Sequence, residues 1–335
     1  GMEFVTKLVE GKFPDYNRVI PKNHKNSVVL GRAPLLLDFA RFDHVDPNVI
    51  ATKQKNYWRF LNKVGASDEV PGIYEDCALS FVTEELLNGK RPHEILLLKE
   101  LLSHEGKLSI DRFRALLEQR GLLADSATLS SVLAILSLEF FTDAEATKYG
   151  DAPMVTFDND CYNISTEFLD EWNKNLSFNT YVRDVFDTGL YLARNRYKWS
   201  SELQVGQRYS RKDVCRILNW KSNQQSTIYG YKVDYLSNSC PIFVTYHKGS
   251  DVSESTKYAD EFINPSTLIW FTRSRRTLES GEVKAIIENQ LPLHVFAKKD
   301  DAEGTDFYYL GTATSQDARQ TKMAGESGTE LDVVS

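Results

Sequence analysis

The apolar residues of this chain change their spacing near Leu203, and that change limits the folds open to it. Before Leu203 they recur at helical intervals, interrupted by one hairpin-like stretch. After it they come in short alternating runs bounded by Gly, Pro, Asn and Asp. A helical front half joined to a strand-rich back half makes an α+β chain, and 335 residues leave room for two or three domains of ordinary size.

In the front half, Pro47-Asn48 leads into Ile50, Tyr57, Phe60, Leu61 and Val64 at roughly helical spacing. Tyr74 to Leu87 predicts a second helix, stopped by Asn88-Gly89. Pro92 then opens the leucine-dense segment His93 to Leu102, and Ser109 precedes a helix carrying Ile110, Phe113, Leu116 and Leu117 that Gly121 ends. Ala127 to Phe141 is apolar almost all round and is expected to be buried. Two alternating runs, Met154 to Phe157 and Cys161 to Ile164, flank Asp158-Asn159-Asp160 and read as a hairpin. Three helices followed by a hairpin is the order of a winged-helix unit. Its third helix carries Glu139 and no Lys or Arg between Ala127 and Thr142, which weakens DNA contact there. Thr166 to Tyr197 predicts a bridging helical segment.

In the back half, Ile242 to Tyr246, Leu268 to Phe271, Leu293 to Ala297 and Phe307 to Leu310 predict strands. Short helices over Arg211 to Leu218, capped by Ser210, and over Ser280 to Asn289 interrupt them. The expectation is a small mixed β-barrel with short helices. The chain thus divides into a helical domain over 1–90, a winged-helix-like unit over 91–165, bridging helices over 166–198 and a β-barrel-like domain over 199–335. Gly1 before Met2 reads as a scar of tag removal, and Leu331-Asp332-Val333-Val334 resembles the start of a strand.

Neither a secretory leader nor a membrane span is indicated: Met2 is followed by a charged, mixed segment, and the longest apolar stretch, Val132 to Phe141, is broken by Ser137 and Glu139. Cys77, Cys161, Cys215 and Cys240 form no CxxC pair, so neither a zinc ribbon nor a disulfide framework is expected, and a cytoplasmic, reduced setting fits.

A net charge of −7 argues against an indiscriminate nucleic-acid binder, but the charge is uneven. Between residues 194 and 221, Arg194, Arg196, Lys198, Arg208, Arg211, Lys212, Arg216 and Lys221 stand against Glu202 and Asp213, a net +6 in 28 residues. Tyr197, Trp199, Tyr209 and Trp220 are interleaved with them, and Arg273, Arg275 and Arg276 follow Trp270-Phe271. Cations can neutralise phosphates while aromatic faces stack on unpaired or extruded bases. The candidate nucleic-acid contacts are therefore Arg208, Arg211, Lys212, Arg216, Arg273, Arg275 and Arg276, with Trp220, Tyr231 and Trp270 as stackers. The competing reading is a solvated charged face beside core aromatics. Trp220, Tyr229, Tyr231, Tyr235 and Tyr246 can line a cup for a flipped or modified base, although core packing is the default for any single ring. Residues 300–335 net −6 and read as a solvated loop that could also lie across the basic face.

Catalytic signatures are missing. There is no GxxxxGK[ST] loop, no GxSxG, no repeated HxK, and His24 and His44 assemble no HNH pattern. Glu282-Val283-Lys284 matches the ExK half of a nuclease site, with Asp260 or Glu261 as an upstream carboxylate, but it lies in a helix-like run and is common by chance. No catalytic residue, metal ligand or cofactor is expected.

The series Tyr209-Ser210-Arg211-Lys212-Asp213-Val214, Leu218-Asn219-Trp220, Tyr229-Gly230-Tyr231 and Cys240 to Lys248 resembles the uncharacterised C-terminal region of bacterial DEAD/DEAH-type superfamily-two helicases, which often carry a phospholipase D-like nuclease domain. Tyr258 to Phe262, Trp270 to Arg275, Phe307 to Gly311, Gly31 to Phe39 and Leu86 to Glu94 extend the likeness to about residues 25–311. It implies a non-catalytic, helicase-associated DNA-binding module of restriction or phage defence, with helicase or nuclease domains as partners in cis or trans; the motor and nuclease motifs themselves are absent. The alternative is a protein-interaction scaffold that docks on such a partner without touching DNA.

Overall fold

The computed structural model describes residues 18–19, 28–29, 34–42, 46–245, 260–264, 266–324 and 330–335. Helices and strands are mixed along the chain, an α+β fold, in two compact units, residues 1–201 and 202–335. Tyr246, His24, His44, Gly31-Arg32-Ala33, and the stretches His247-Lys248 and Tyr258-Ala259 lie outside the described residues.

Unit 1 opens with a two-stranded ladder, β1 (Arg18–Val19) and β2 (Val28–Val29), then α1 (Leu36–Phe42), α2 (Pro47–Thr52) and α3 (Tyr57–Lys63). The single helix expected over 50–64 is two, because Lys55 takes a left-handed φ of 71° and Asn56 caps α3 by accepting from Arg59 N. Next come α4 (Ile73–Leu86), α5 (His93–Ser103), β3 (Lys107–Ser109), α6 (Ile110–Gln119), α7 (Ser126–Leu136) and α8 (Asp143–Lys148). The hairpin of β4 (Val155–Asp158) and β5 (Cys161–Ile164) follows, and the three-stranded antiparallel sheet has the order β3-β5-β4. Asn159 and Asp160 both have positive φ, 49° and 57°, which a two-residue turn matching strand twist requires.

The bridging segment is also two helices, α9 (Thr166–Lys174) and α10 (Leu176–Asn195). Asn175 breaks the run with extended backbone and caps α10 by accepting from Phe178 N at 3.0 Å. Helix α10 crosses the α4–α5 turn closely at Gly189, where an added Cβ would sit 2.5 Å from Ile95 Cδ1 and 3.0 Å from Leu86 O. Gly89 (φ 71°) completes that crossing, its Cβ position lying 2.7 Å from Ala193 N. Asp184 of α10 accepts from Leu36 N at 2.7 Å and Leu37 N at 3.1 Å, so its buried carboxylate supplies the acceptors for the start of α1.

Unit 2 is built on a four-stranded mixed sheet of order β6-β11-β10-β7, made by β6 (Arg208–Tyr209), β11 (Phe307–Ala313), β10 (Leu293–Lys298) and β7 (Cys240–Thr245). The β10–β7 pair is parallel and the others antiparallel. Helix α11 (Arg211–Ile217) follows β6 behind a capping box of Ser210 and Asp213, and α12 (Gly281–Ile287) precedes β10. Ladders β8 (Glu261–Asn264) with β9 (Thr267–Ile269), and β12 (Gln320–Ala324) with β13 (Glu330–Val334), complete the unit. Among the described residues the main sheet is open, with β6 and β7 at its ends, where the sequence pattern pointed to a barrel. The strand start expected at Leu331 is part of β13, whose Val333 and Val334 are buried.

Candidate nucleic-acid interface

The basic stretch 194–221 is divided between the two units. Arg194, Arg196 and Lys198 belong to unit 1, where Arg196 pairs with Asp46 at 2.9 Å and Arg194 lies 4.7 Å over the Trp199 ring. The rest belongs to unit 2 and divides between surface and core. Arg216 is 5% exposed and Trp220 1% exposed, with the indole Nε1 donating to Ser239 Oγ at 2.9 Å. Trp220 is thus a core ring rather than the exposed stacker its neighbourhood of cations suggested, and a base could reach it only by displacing the core.

Arg208 and Arg211 meet on one set of aromatics. Register pairs Arg208 with Tyr308 across β6 and β11, and its guanidinium lies 5.2 Å over the Tyr308 ring while Nη2 donates to Glu303 O at 2.8 Å. Arg211, the first residue of α11, stands 5.1 Å from the Phe243 ring and 5.0 Å from the Phe307 ring, with Lys212 half-buried beside it. Lys298 Nζ approaches Phe307 to 4.7 Å and donates to Gly304 O at 2.9 Å. Ring faces attract these cations through their quadrupole. The backbone carbonyls of Glu303, Gly304 and Asp306 accept from Arg208 and Lys298, so residues 303–306 of the acidic segment meet this cluster, while much of 307–334 is strand instead of the solvated loop expected.

Glu282 organises a second cluster. It accepts from Tyr231 Oη at 2.8 Å and from Arg273 Nη2 at 2.7 and 2.9 Å, and it pairs with Arg276 Nε. Burial opposes its charge, yet the hydrogen bonds from Arg276, Tyr231 and Arg273 outweigh burial and hold the pKa below the usual glutamate value. Burial first, and Glu282 second, push the Tyr231 hydroxyl well above its ordinary value. Arg273 also lies 4.8 Å over the Tyr231 ring, and Trp270 meets that ring edge-on at 4.9 Å. Tyr231 is 1% exposed and Trp270 half-buried. Arg275, with a left-handed φ of 64°, is exposed. Lys284 pairs with Glu279 at 2.5 Å on the solvent side, so the ExK carboxylate and ammonium serve different partners.

Phe243 joins the two clusters. It stacks on Phe296 at 4.8 Å, faces Arg211, and lines a cleft of about 120 Å³ with Tyr231, Trp270 and Arg273. Its importance was hidden in the sequence, where it is one apolar residue of a strand. The exposed aromatics nearby in sequence are Tyr229 at 68%, which also lines the cleft, and Tyr235 at 65% in a turn closed by Asp234 N donating to Ser239 O at 2.9 Å. Cys215 and Cys240 are buried, which raises each thiol to about 12 and leaves them inert as nucleophiles at neutral pH. Among the described residues no group of three or more His, Cys, Asp and Glu could hold a metal ion, and no helix is long and apolar enough to cross a membrane.

Two family models match. That of a domain of unknown function (DUF8090) covers residues 25–198, and that of a second domain of unknown function (DUF3427) covers residues 203–335. No curated protein matches the chain.

Proposed function

The chain belongs to the DUF8090 family through residues 25–198, and we propose that it is a non-catalytic, helicase-associated DNA-binding module of restriction or phage defence, with unit 2 as the DNA-gripping part. The observation that carries this reading is the meeting of cations and rings at Phe243, which Arg211 approaches to 5.1 Å and which lines the cleft with Tyr231, Trp270 and Arg273, with exposed Arg275 nearby in sequence. Phosphate neutralisation needs the first kind of group and base stacking the second. Arg208, Arg211, Lys212 and Arg275 would contact phosphate, while Arg273 and Arg276 are held by Glu282 and would shape the cleft. The cytoplasm is where such a module would meet its DNA and its helicase or nuclease partner, and sensing of modified bases fits the same face.

In unit 1 we read helix α5, strand β3, helices α6 and α7 and the β4–β5 hairpin, with sheet order β3-β5-β4, as a winged-helix arrangement. Its third helix, α7, lacks Lys and Arg, which favours a spacer over a DNA reader. A docking role for this unit is supported by exposed Val70 (75%), Ile73 (89%) and Leu176 (82%), with a cavity of about 340 Å³ beside Ile73.

The test is binding of the full chain to single-stranded, duplex and base-modified duplex DNA across a salt series. Affinity should fall with salt, and Arg211→Glu with Arg275→Glu should weaken binding and reduce the log–log salt slope by about 2, one per phosphate contact. Unchanged binding by the double variant discards this face. No retention on immobilised DNA at low salt would favour the scaffold reading.

A further inference from the structure

We infer that the cleft beside Phe243 is a receptacle for a single unstacked nucleobase, a neutral planar heteroaromatic ring, rather than for a phosphate or a cation. The inference rests on the DNA-binding reading and deepens it.

The walls support that ligand class. Tyr229, Tyr231, Phe243, Trp270 and Phe271 line the cleft, and Gly230 between the first two, at φ 79°, adds no side chain to it. Aromatic walls of this density bind flat π-faces with little regard to base identity. The charges in and around the cleft balance: Arg273 and Arg276 are matched by Glu282 and Asp260, so neither an anion nor a cation gains from entering. A phosphate would find the Arg273 guanidinium already held by Glu282 at 2.7 and 2.9 Å.

Polar groups at the rim suit a base edge. Arg273 Nη2 is engaged with Glu282 and its Nε is buried without a hydrogen-bond acceptor among the described residues, so a base carbonyl would accept from Nε only after that side chain shifts. Thr245 and Asp260 are the other polar side chains of the lining, with Asp260 Oδ1 accepting from Phe271 N at 3.1 Å, a bond that fixes the carboxylate against the wall. Tyr231, 1% exposed, is held by its hydrogen bond to Glu282 and by the Trp270 ring, so it backs the cleft rigidly and leaves contact with a base to the more exposed Tyr229, Trp270 and Phe271. Tyr229, which lines the cleft and is 68% exposed, offers its ring to a bound base.

The experiment compares the full chain on three duplexes of one sequence: fully matched, carrying one mismatch, and carrying abasic sites on both strands at the same position. A mismatched base leaves the stack at low cost, so wild type should bind the mismatched duplex about tenfold more tightly than the other two, the size expected of one base–aromatic stack. Tyr229→Ala should bring the ratio of mismatched to matched affinity down to about one, and Trp270→Phe should keep part of the preference. Arg275→Glu should weaken all three duplexes equally. Equal affinity of wild type for the three duplexes, or a preference that survives Tyr229→Ala, overturns the receptacle while the DNA-binding reading stands. Binding to none of them overturns both.

Discussion

At the residue scale, two carboxylates show how position sets chemistry. Asp184 is buried in α10, and burial raises its pKa to about 7 against the hydrogen bonds from Leu36 N, Leu37 N and Thr188. An acid whose folded pKa lies above its unfolded value of 3.8 is protonated longer in the native state. The unfolded chain therefore releases its proton first, and this group's contribution to stability falls as pH rises from about 4 to about 7, then stays level. Asp184→Asn should remove that dependence. Relative to wild type, the variant should gain up to roughly 3 kcal/mol between pH 5 and pH 8 in urea unfolding. A difference independent of pH would show the carboxylate to be ionised throughout. Glu282 has the opposite sign: its pKa is held low, so its contribution is present above the ordinary glutamate range and is lost as pH falls through the folded value. Asp184 is not distinctive in the sequence, since its partners Leu36 and Leu37 lie about 150 residues away, whereas Glu282 pairs with Arg276 and Arg273 close by and draws only Tyr231 from a distance.

At the scale of elements, most helices and strands could be read from period and punctuation. Ser109, Asp125, Ser165 and Ser210 each accept from a backbone N–H three residues on, and Pro47 opens α2. What the pattern hid were breaks inside apolar runs, at Lys55 and Asn175, where one polar residue turns the chain without disturbing the spacing around it. Strand β3, of three residues, and helix α8, of six, were too short to leave a period. The crossing of α10 over the α4–α5 turn depends on two glycines 100 residues apart, Gly89 and Gly189. Gly189→Ala should cost about 1–3 kcal/mol through overpacking, read as a lower urea midpoint with an unchanged slope. A midpoint equal to wild type would mean that Ile95 yields freely.

At the scale of the whole molecule, each unit has its own core: Leu79, Val82, Ile95, Val185 and Phe186 in unit 1, and Tyr231, Cys240, Ile242, Ala285 and Leu293 in unit 2. A lesion in one core should then be felt mainly there. In Gly189→Ala protein, amide hydrogen exchange should quicken across the helices between residues 36 and 195, while amides of β7, β10 and β11 keep wild-type protection. Equal loss of protection in both would make the chain one cooperative block. The net charge of −7 says little about the face that matters, because Arg194 and Arg196 serve unit 1 and Arg216 is buried, while Arg275 is exposed.

The sequence by itself determined the class of the fold, the place where helix gives way to strand, and the segments where cations and rings concentrate, because period, caps and composition are local properties of the chain. Only the tertiary structure decided which of those groups share a site. It put Trp220 and Arg216 inside, gathered Tyr231, Arg273 and Arg276 on Glu282, and brought Phe243 both to Arg211 and into the lining of the cleft. The physical reason is that burial and ion pairing depend on what packs against a residue from distant parts of the chain. A side chain's neighbours along the sequence do not supply that information.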